Sequence, residues 1–450
     1  MALPRQPGTP TSYREALRGF SKNAKLYLAY ATMSQINSGI FIVAFAFYLE
    51  ELFFPRVVVL GVTLGVLPFV GIALGLNFVA HGFNSLPAGF IGDKYGRKRS
   101  FITASLVAIA AGAAVLVVNA PLTLMLLGVV VGLGEAFHGV VGAPFMMENS
   151  REAERIHLFT ISGVLTTIST IVGAALAAIL PSVIGAWLAG LPAGSLGFLE
   201  FGTTRAAALR LTLFMSVPFG LAELVPLFYM RESYALAPEP LREMFLLKHV
   251  RNKLNVGKLS ILSLAFALGL GLYFPLLPLY FGGAYGVGTE EFGSIVIANN
   301  LAIAAAIFAV PLLVARWGKV RSIVYTRLLA VPFLAVLAFA PTLFLAGLFL
   351  VVRGAFSSLA FPVVGSFSME VMERNERATT AGMTHAVFDL SYGGMVFLAG
   401  FLLDAGVFFL AFLVGAGLVL GHAVLWYRWF GDHPVDRASR PPPAAVGVAR

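Results

Sequence analysis

The stretch Gly89-Phe-Ile-Gly-Asp-Lys-Tyr-Gly-Arg-Lys-Arg-Ser100 decides the fold of this chain, because a weaker copy of it follows 222 residues later. The copy reads Pro311-Leu-Leu-Val-Ala-Arg-Trp-Gly-Lys-Val-Arg-Ser322. The same offset relates further pairs of residues: Asn77 and Asn299, Gly132 and Gly354, Glu148 and Glu370, Arg155 and Arg377. One offset that holds over such a length indicates two halves of the same architecture.

The composition of the 450 residues excludes most classes of protein. Hydrophobic side chains make up 58% of the chain and charged ones 12%, whereas a soluble domain carries about 25% charged residues. A soluble enzyme, a disordered protein and a single-span anchor are therefore excluded. The absence of cysteine from the sequence excludes disulfide scaffolds, cysteine-bound zinc and thiol nucleophiles. The chain is predicted to be a polytopic membrane protein.

Apolar segments of spanning length predict twelve transmembrane helices. We expect them near 26–49, 61–91, 100–118, 122–147, 157–181, 206–230, 259–281, 292–315, 322–340, 342–369, 378–402 and 406–430. The predicted organisation is an N-terminal tail (1–25), a six-helix bundle (26–230), a linker (231–258), a second six-helix bundle (259–430) and a C-terminal tail (431–450). Pro275 and Pro278 predict a kink in the seventh helix. Residues 182–204 are predicted to form an outer loop with a short interfacial helix.

The basic residues predict the orientation of the chain in the membrane. Of the 31 Lys and Arg residues, 26 fall in the tails and in the loops on the same side, while the opposite loops hold only Arg56 and Arg205. The positive-inside rule then places both termini in the cytoplasm. The net charge of +9 is thus a topology signal that requires no nucleic-acid partner. We expect a monomer in the lipid bilayer of the cell membrane.

The sequence resembles the major facilitator superfamily, whose loop between helices two and three reads roughly G-x-x-x-D-R/K-x-G-R-R/K. The matching residues are Gly89, Asp93, Lys94, Gly96, Arg97 and Lys98. The resemblance implies two pseudo-symmetric six-helix bundles and secondary transport by alternating access. The fifth helix lacks the G-P-x-x-G-G pattern of drug–proton antiporters, and the sixth is not followed by the P-E-S-P-R of sugar porters, so the subfamily stays open.

Charged residues at the predicted cytoplasmic base of the bundle are candidates for a gate. Carboxylates and guanidinium groups that are partly shielded there can form a bidentate network that breaks when the halves separate. The resemblance implies that such a latch stabilises the outward-open state. Its predicted members are Gly89, Asp93, Gly96, Arg97, Lys98, Glu148, Arg155, Glu370 and Arg377. The alternative is a cluster of charges that only sets the topology.

Three ionisable residues fall near the middle of predicted helices, where a charge is costly and a function is the default expectation. They are Glu135, Arg353 and Asp389. His138 follows Glu135 by three residues and His385 precedes Asp389 by four, so each histidine shares a helix face with an acid. One carboxylate would take a coupled proton, and a histidine would tune it. Alternatively, Arg353 and Asp389 form a static pair and the histidines bind carbonyl groups.

Other polar residues in the helices give weaker signals. Asn37, near the middle of the first helix, is a candidate substrate contact. His81 is expected to be structural, and the Arg327 side chain is expected to reach the inner surface of the membrane.

The function expected from these residues is secondary active transport of a small amphipathic or lipophilic organic molecule, by proton-coupled export. The alternatives are proton-coupled uptake of a small organic anion through Arg353, lipid or lysolipid flipping, and a scaffold or receptor that transports nothing. The sequence contains no P-loop and no constellation of metal ligands. We therefore expect neither an enzyme nor a primary pump, and no cofactor or metal.

Overall fold

The structure is a computed structural model that describes residues 17–192, 203–232, 251–373 and 377–439. Twelve helices in these residues are long and apolar enough to cross a membrane, as predicted. In chain order they are α1 (Lys22–Phe53), α2 (Val66–Tyr95), α3 (Arg97–Val117), α4 (Pro121–Glu148), α5 (Glu152–Ala189), α6 (Thr204–Phe214 and Ser216–Tyr229), α7 (Lys253–Gly271 and Leu277–Tyr285), α8 (Thr289–Ile307, continued by Val310–Trp317), α9 (Lys319–Leu337), α10 (Leu343–Ser358 and Ala360–Val371), α11 (Arg377–Asp404) and α12 (Phe409–Phe430). A short helix, α13 (Pro434–Ser439), follows.

Several helices differ from the predicted spans. The kink predicted from Pro275 and Pro278 is confirmed: α7 is interrupted there by a 3₁₀ turn, Phe274–Leu276, because proline lacks the N–H that a helix needs. The fifth helix was predicted to end at residue 181, but α5 continues to Ala189. Residues 193–202 of the predicted interfacial segment and residues 233–250 of the predicted linker lie outside the described part of the chain.

A β-hairpin between α1 and α2 was not predicted. Strand β1 (Arg56–Val59) pairs antiparallel with β2 (Val62–Gly65). Leu60 and Gly61 form the turn with φ values of 50° and 81°, the left-handed conformation typical of two-residue hairpin turns. The predicted second helix began at residue 61, whereas α2 begins at Val66. The run of valines before Leu60-Gly61 is a strand signal. It was missed because the segment is apolar and lies next to the start of a predicted membrane helix.

The repeat seen in the sequence is also a repeat in three dimensions. Gly132 of α4 lies against the backbone of Asn77 in α2, and Gly354 of α10 lies against the side chain of Asn299 in α8. The two glycines are related by the offset of 222 residues, and so are the two asparagines. A glycine is needed at position 132, because a Cβ atom would overlap the backbone of Asn77, whereas at position 354 it would meet the end of the Asn299 side chain.

The apolar core shows where the two sets of six helices meet. At the end of the bundle remote from the termini, one core combines residues of both sets, including Phe47, Phe281 and Phe292. At the end where the termini lie, there are two separate cores. One comes from α1 and α3–α6, around Phe101, and the other from α7, α9, α10 and α12, around Phe367. The bundle is therefore closed at the remote end and divided at the termini end.

Helices α2 and α11 join the two sets over much of their length. Gly71 of α2 lies against Gly400 of α11, and Gly75 lies against Gly393. Small residues let two helix backbones approach closely in a membrane. This close approach brings the polar side chains of α2 and α11 into contact near the middle of the bundle.

Candidate functional site

A histidine–aspartate pair, which is an ion pair when the histidine is protonated, connects the two sets of helices near the middle of the α2–α11 contact. His81 Nδ1 lies 2.8 Å from Asp389 Oδ2. The side chain of His81 is 19% exposed and that of Asp389 is 11% exposed, so little water competes for the pair. Gly82, next to His81, lies against Leu390 and the Cβ atom of Asp389, which holds the two helices at the distance that the pair requires. Asp389 was a predicted site residue, but its partner was not predicted.

Glu135 lies on the face of α4 that is turned toward α2. Gly132 and Gly139, on either side of it in sequence, contact Asn77 and His81 of α2, and residues three or four apart share a helix face. The Glu135 carboxylate is exposed and within electrostatic range of His81. The structure therefore places an exposed acidic residue close to the His81–Asp389 pair between α2 and α11.

The two predicted histidines have different surroundings. The ring of His138 stacks on Tyr30 at 5.5 Å and lies 6.3 Å from Phe101, within the core at the termini end. It is thus turned toward α1 and α3, although its spacing from Glu135 suggested a relay between the two. His385 is exposed and within electrostatic range of Asp389 and His81. His81, predicted to be structural, occupies the position that the sequence suggested for the other two.

The two remaining predicted residues of this group do not contact Asp389. Arg353 lies over the ring of Tyr273, with its guanidinium carbon 5.2 Å from the ring centroid, and Asp389 is paired with His81 instead. The predicted static pair of Arg353 and Asp389 is therefore not the arrangement found. Asn37 lies near Gly220 of α6, within the N-terminal set of helices.

The first half of the predicted gate forms a compact ion-pair network at the termini end. Arg97 donates two hydrogen bonds to Glu148, from Nε at 2.8 Å and from Nη2 at 2.6 Å, and Arg97 also pairs with Asp93 at 2.9 Å. Gly96 has φ 103°, a conformation that other residues rarely adopt, and it turns the chain from α2 into α3. Bidentate pairs of this kind are the stronger class of ion pair.

Other residues of the first gate segment contact the end of α6. The backbone N–H groups of Lys98 and Arg99 donate to Glu232, at 2.7 and 3.3 Å, and a carboxylate is favourable at the N-terminus of a helix such as α3. Gly89 lies against Val140 of α4. Glu232 was not predicted to belong to this network. Its position directly after the sixth predicted helix, next to Arg231, was a signal that could have indicated it.

The second half repeats this network in a simpler form. Lys319 pairs with Glu370, and these residues are the counterparts of Arg97 and Glu148 under the offset of 222. The N–H of Val320 donates to Asp436 at 2.7 Å, as that of Lys98 does to Glu232. The side chains of Arg155 and Arg377 lie outside the described part of the chain. The named pairs each lie within one set of helices, and the predicted role of this network as a latch between the sets stays a prediction.

One arginine was placed wrongly from the sequence. Arg327 was expected to reach the membrane surface, but it is buried among α7, α9 and α10, with 1% of its surface exposed, and it donates to Ser357. In the described ranges, no group of three or more His, Asp or Glu residues is arranged to hold a metal ion.

Twelve spanning helices in a repeated set of six, with ionisable groups near the middle and separate apolar cores at the termini end, are the arrangement of a secondary transporter. The chain belongs to the Major Facilitator Superfamily, whose family model matches residues 27–254 and 259–448. The resemblance inferred from the loop motif is thereby confirmed, and the protein is a transporter, not an enzyme. A search of curated protein sequences finds no match.

Solved structures of several transporters share the fold. They include the human organic anion transporter MFSD10 (TETRAN), with 14% identity, a TM-score of 0.65 and coverage of 94% of this chain and 100% of that chain. The nucleoside transporter NupG has 14% identity, a TM-score of 0.64 and coverage of 91% and 100%. A D-xylose–proton symporter has 12% identity, a TM-score of 0.67 and coverage of 93% and 98%. At these identities the likeness shows the fold alone.

Proposed function

We propose that this protein is a proton-coupled transporter of small amphipathic organic molecules, in which Asp389, His81 and Glu135 carry the coupled proton. The observation that supports this most strongly is the His81–Asp389 ion pair, because it joins α2 to α11 across the two sets of helices. Glu135, exposed beside it, gives water access to the same group of residues.

The pair couples protonation to the relative position of the two sets of helices. A charge-assisted hydrogen bond holds α2 to α11 while Asp389 is ionised and His81 is protonated. A proton on Asp389 removes the negative charge and leaves a weaker neutral hydrogen bond. The sets of helices are then freer to rock against each other. Glu135 and His385, both exposed, are placed to pass the proton to water.

The side chains along the centre favour an amphipathic substrate. Phe41 and Phe45 of α1 are only partly buried, and Phe274 at the break in α7 is 37% exposed. Such residues provide apolar contact, while Asn37 provides a polar one. The similar structures are of an organic anion transporter, a nucleoside transporter and a sugar symporter. One fold supports many substrates, so the substrate must be argued from residues of this chain.

Location and direction complete the proposal. We propose that the protein lies in the cell membrane with its termini end in the cytoplasm, because the basic loops lie at that end. The end at which the apolar cores are separate then faces the cytoplasm. An exporter binds its substrate from that side, and we propose proton-coupled export by a monomer. Uptake of an organic anion and lipid or lysolipid flipping are the alternatives, and a scaffold that transports nothing is the rival of another class.

The proposal is tested with purified protein in liposomes that contain a pH-sensitive dye. Under an imposed pH gradient, a panel of amphipathic amines, neutral compounds and carboxylates is added in turn. We expect at least one compound to drive proton movement, and Asp389→Asn to abolish it. Glu373→Gln, which alters an exposed ion pair with Arg251 outside the predicted gate, is the control and should retain most of the flux.

The outcomes separate the alternatives. Proton movement that is the same in Asp389→Asn and the unmodified protein would contradict the proposed role of the ion pair. Movement of a fluorescent lysolipid without proton movement would favour flipping, and no movement of any compound would favour the scaffold. Cellular accumulation that rises on expression would replace export by uptake.

A further inference from the structure

The interior of the C-terminal set of helices contains two arginines that are buried without a carboxylate. Arg327 of α9 is 1% exposed and Arg353 of α10 is 6% exposed. In residues 17–192, 203–232, 251–373 and 377–439, no Asp or Glu oxygen lies within the 4.0 Å ion-pair distance of either guanidinium group. Asp389, on the adjacent helix α11, is paired with His81. A buried charge without a partner is costly, so these arginines need an explanation.

Aromatic rings surround Arg327. Its guanidinium carbon lies 3.8 Å from the centroid of the Phe266 ring and 5.1 Å from that of Phe361. It donates to Ser357, while its Nε–H is buried without a hydrogen-bond partner among the described residues. Phe361 is 50% exposed, so a ring at the surface of the bundle covers one face of a buried cation.

Arg353 has a similar incomplete environment. It lies over Tyr273, whose hydroxyl group is buried and has no hydrogen-bond partner in the described part of the chain. Arg327 donates to Ser357, which lies one turn of α10 after Arg353, so the two arginines approach the same part of the interior from neighbouring helices. Two cations and two unsatisfied donors, Arg327 Nε and Tyr273 Oη, thus share one apolar interior. An anion would satisfy both the charge and the donors.

A third buried arginine in the membrane has more oxygen acceptors than either of these two. Arg210 of α6 is fully buried, but it donates to the hydroxyl group of Tyr48 at 3.1 Å and to Oδ1 of Asn119 at 2.9 Å. Oxygen acceptors thus contact Arg210 on two of its nitrogens, as expected of an arginine that holds helices together. It provides a matched control for Arg327 and Arg353.

We propose that Arg353 and Arg327, with the Tyr273 hydroxyl group, bind the anionic group of the transported molecule. The inference rests on the proposed function and narrows the substrate to a small organic anion, in the first place a carboxylate with an aromatic or aliphatic body. The guanidinium groups bind the carboxylate oxygens, and Phe266 and Phe361 contact the apolar body. The anion reaches Arg327 by displacing the half-exposed Phe361 ring. The coupled proton stays at His81 and Asp389, on other residues.

The site is tested by binding to the purified full-length protein. 4-Phenylbutyrate and decanoate are titrated against their primary amides, which have the same shape but no charge. We expect saturable binding of the carboxylates that is at least tenfold tighter than that of the amides. Arg353→Gln should weaken carboxylate binding about tenfold or more and leave amide binding unchanged, and Arg353→Lys should recover part of the loss. Arg210→Lys should bind the carboxylates as the unmodified protein does.

Melting temperatures without ligand separate binding from a structural role. Because the cations are uncompensated, Arg353→Gln should melt at the same temperature as the unmodified protein or higher. A lower melting temperature that is not recovered in Arg353→Lys, with carboxylate affinity unchanged in both, would overturn the proposal. Equal affinity for carboxylates and amides, or no binding of either, would also overturn it. Carboxylate binding that persists in Asp389→Asn without proton movement in the liposome assay would instead contradict the proposed coupling.

Discussion

The strength of the His81–Asp389 interaction decides whether it can couple a proton to movement. The interaction energy is measured by a double-mutant cycle with His81→Gln, Asp389→Asn and the double variant, because the amide side chains are close in size to the originals. The expected energy differs between the neutral and the charged forms of the pair. Neutral hydrogen bonds between membrane helices contribute about 0.6 kcal/mol on average, whereas hydrogen bonds to charged groups contribute about 1.5–3 kcal/mol.

The geometry favours the upper range. The pair is 2.8 Å long and both side chains are largely buried, with 19% and 11% exposed, so solvent screens the charges little. We therefore predict a coupling energy of about 1.5–3 kcal/mol at a pH where both groups are charged. Loss of the charge leaves the neutral hydrogen bond of about 0.6 kcal/mol and so removes about 0.9–2.4 kcal/mol. Since about 1.4 kcal/mol is a factor of ten in an equilibrium, the balance between conformations would change by about five- to sixtyfold.

The assay is reversible unfolding of the four proteins in detergent, repeated over a range of pH. The coupling energy should depend on pH: it should be largest where a carboxylate and an imidazolium coexist and should fall where either charge is lost. A coupling energy near zero at every pH would contradict this prediction, because the pair would then not hold the two sets of helices together. A constant value near that of a neutral hydrogen bond would refute the role of charge.

Three further predictions concern other parts of the molecule. Arg97→Gln should lower the free energy of unfolding by about 1.5–3 kcal/mol. Lys319→Gln should lower it by less than about 1 kcal/mol, because its partner Glu370 is nearly half exposed. Denaturant titration measures both values, and equal losses would contradict the effect of burial. Gly132→Ala should impair folding or transport because its Cβ would lie 2.2 Å from the Asn77 carbonyl oxygen, whereas Gly112→Ala meets nothing within 4 Å and should behave as the unmodified protein in both assays. Because the sequence contains no cysteine, Leu60→Cys at the hairpin turn should react with an impermeant maleimide on intact cells; reaction only after lysis would reverse the proposed orientation.

The fold was predictable because the features that determine it are patterns along the sequence. Apolar segments of spanning length mark membrane helices, and the offset of 222 residues marks the repeat, which reappears as the contacts of Gly132 and Gly354 with Asn77 and Asn299. The β-hairpin was missed because valines raise both the apolar character and the strand propensity of a segment. The end of α5 was misplaced because Pro181, taken as a boundary, lies inside the helix.

The candidate site was only partly predictable, because its pairings depend on which helix faces meet. Glu135 and Asp389 were predicted as intramembrane acids, but their nearest charged neighbour, His81, belongs to another helix. Spacing along one helix suggested His138 for Glu135, and packing turned His138 toward Tyr30. A signal for His81 was present: Asn77, His81 and Asn84 form a polar stripe on one face of α2. The burial of Arg327 depends on three helices and has no equivalent signal.

Protonation of Asp389 is expected to change the balance between conformations, and a distance measured between the two sets of helices tests this. Arg99→Cys and Arg251→Cys, both on exposed side chains at the termini end of different sets of helices, carry spin labels in lipid nanodiscs. We predict that the distribution of distances between the labels changes between neutral and acidic pH. With Asp389→Asn added, the distribution should match that of acidic pH at both values. A distribution that does not depend on pH, or one that still responds to pH in the Asp389→Asn background as it does in the unmodified protein, would contradict the account.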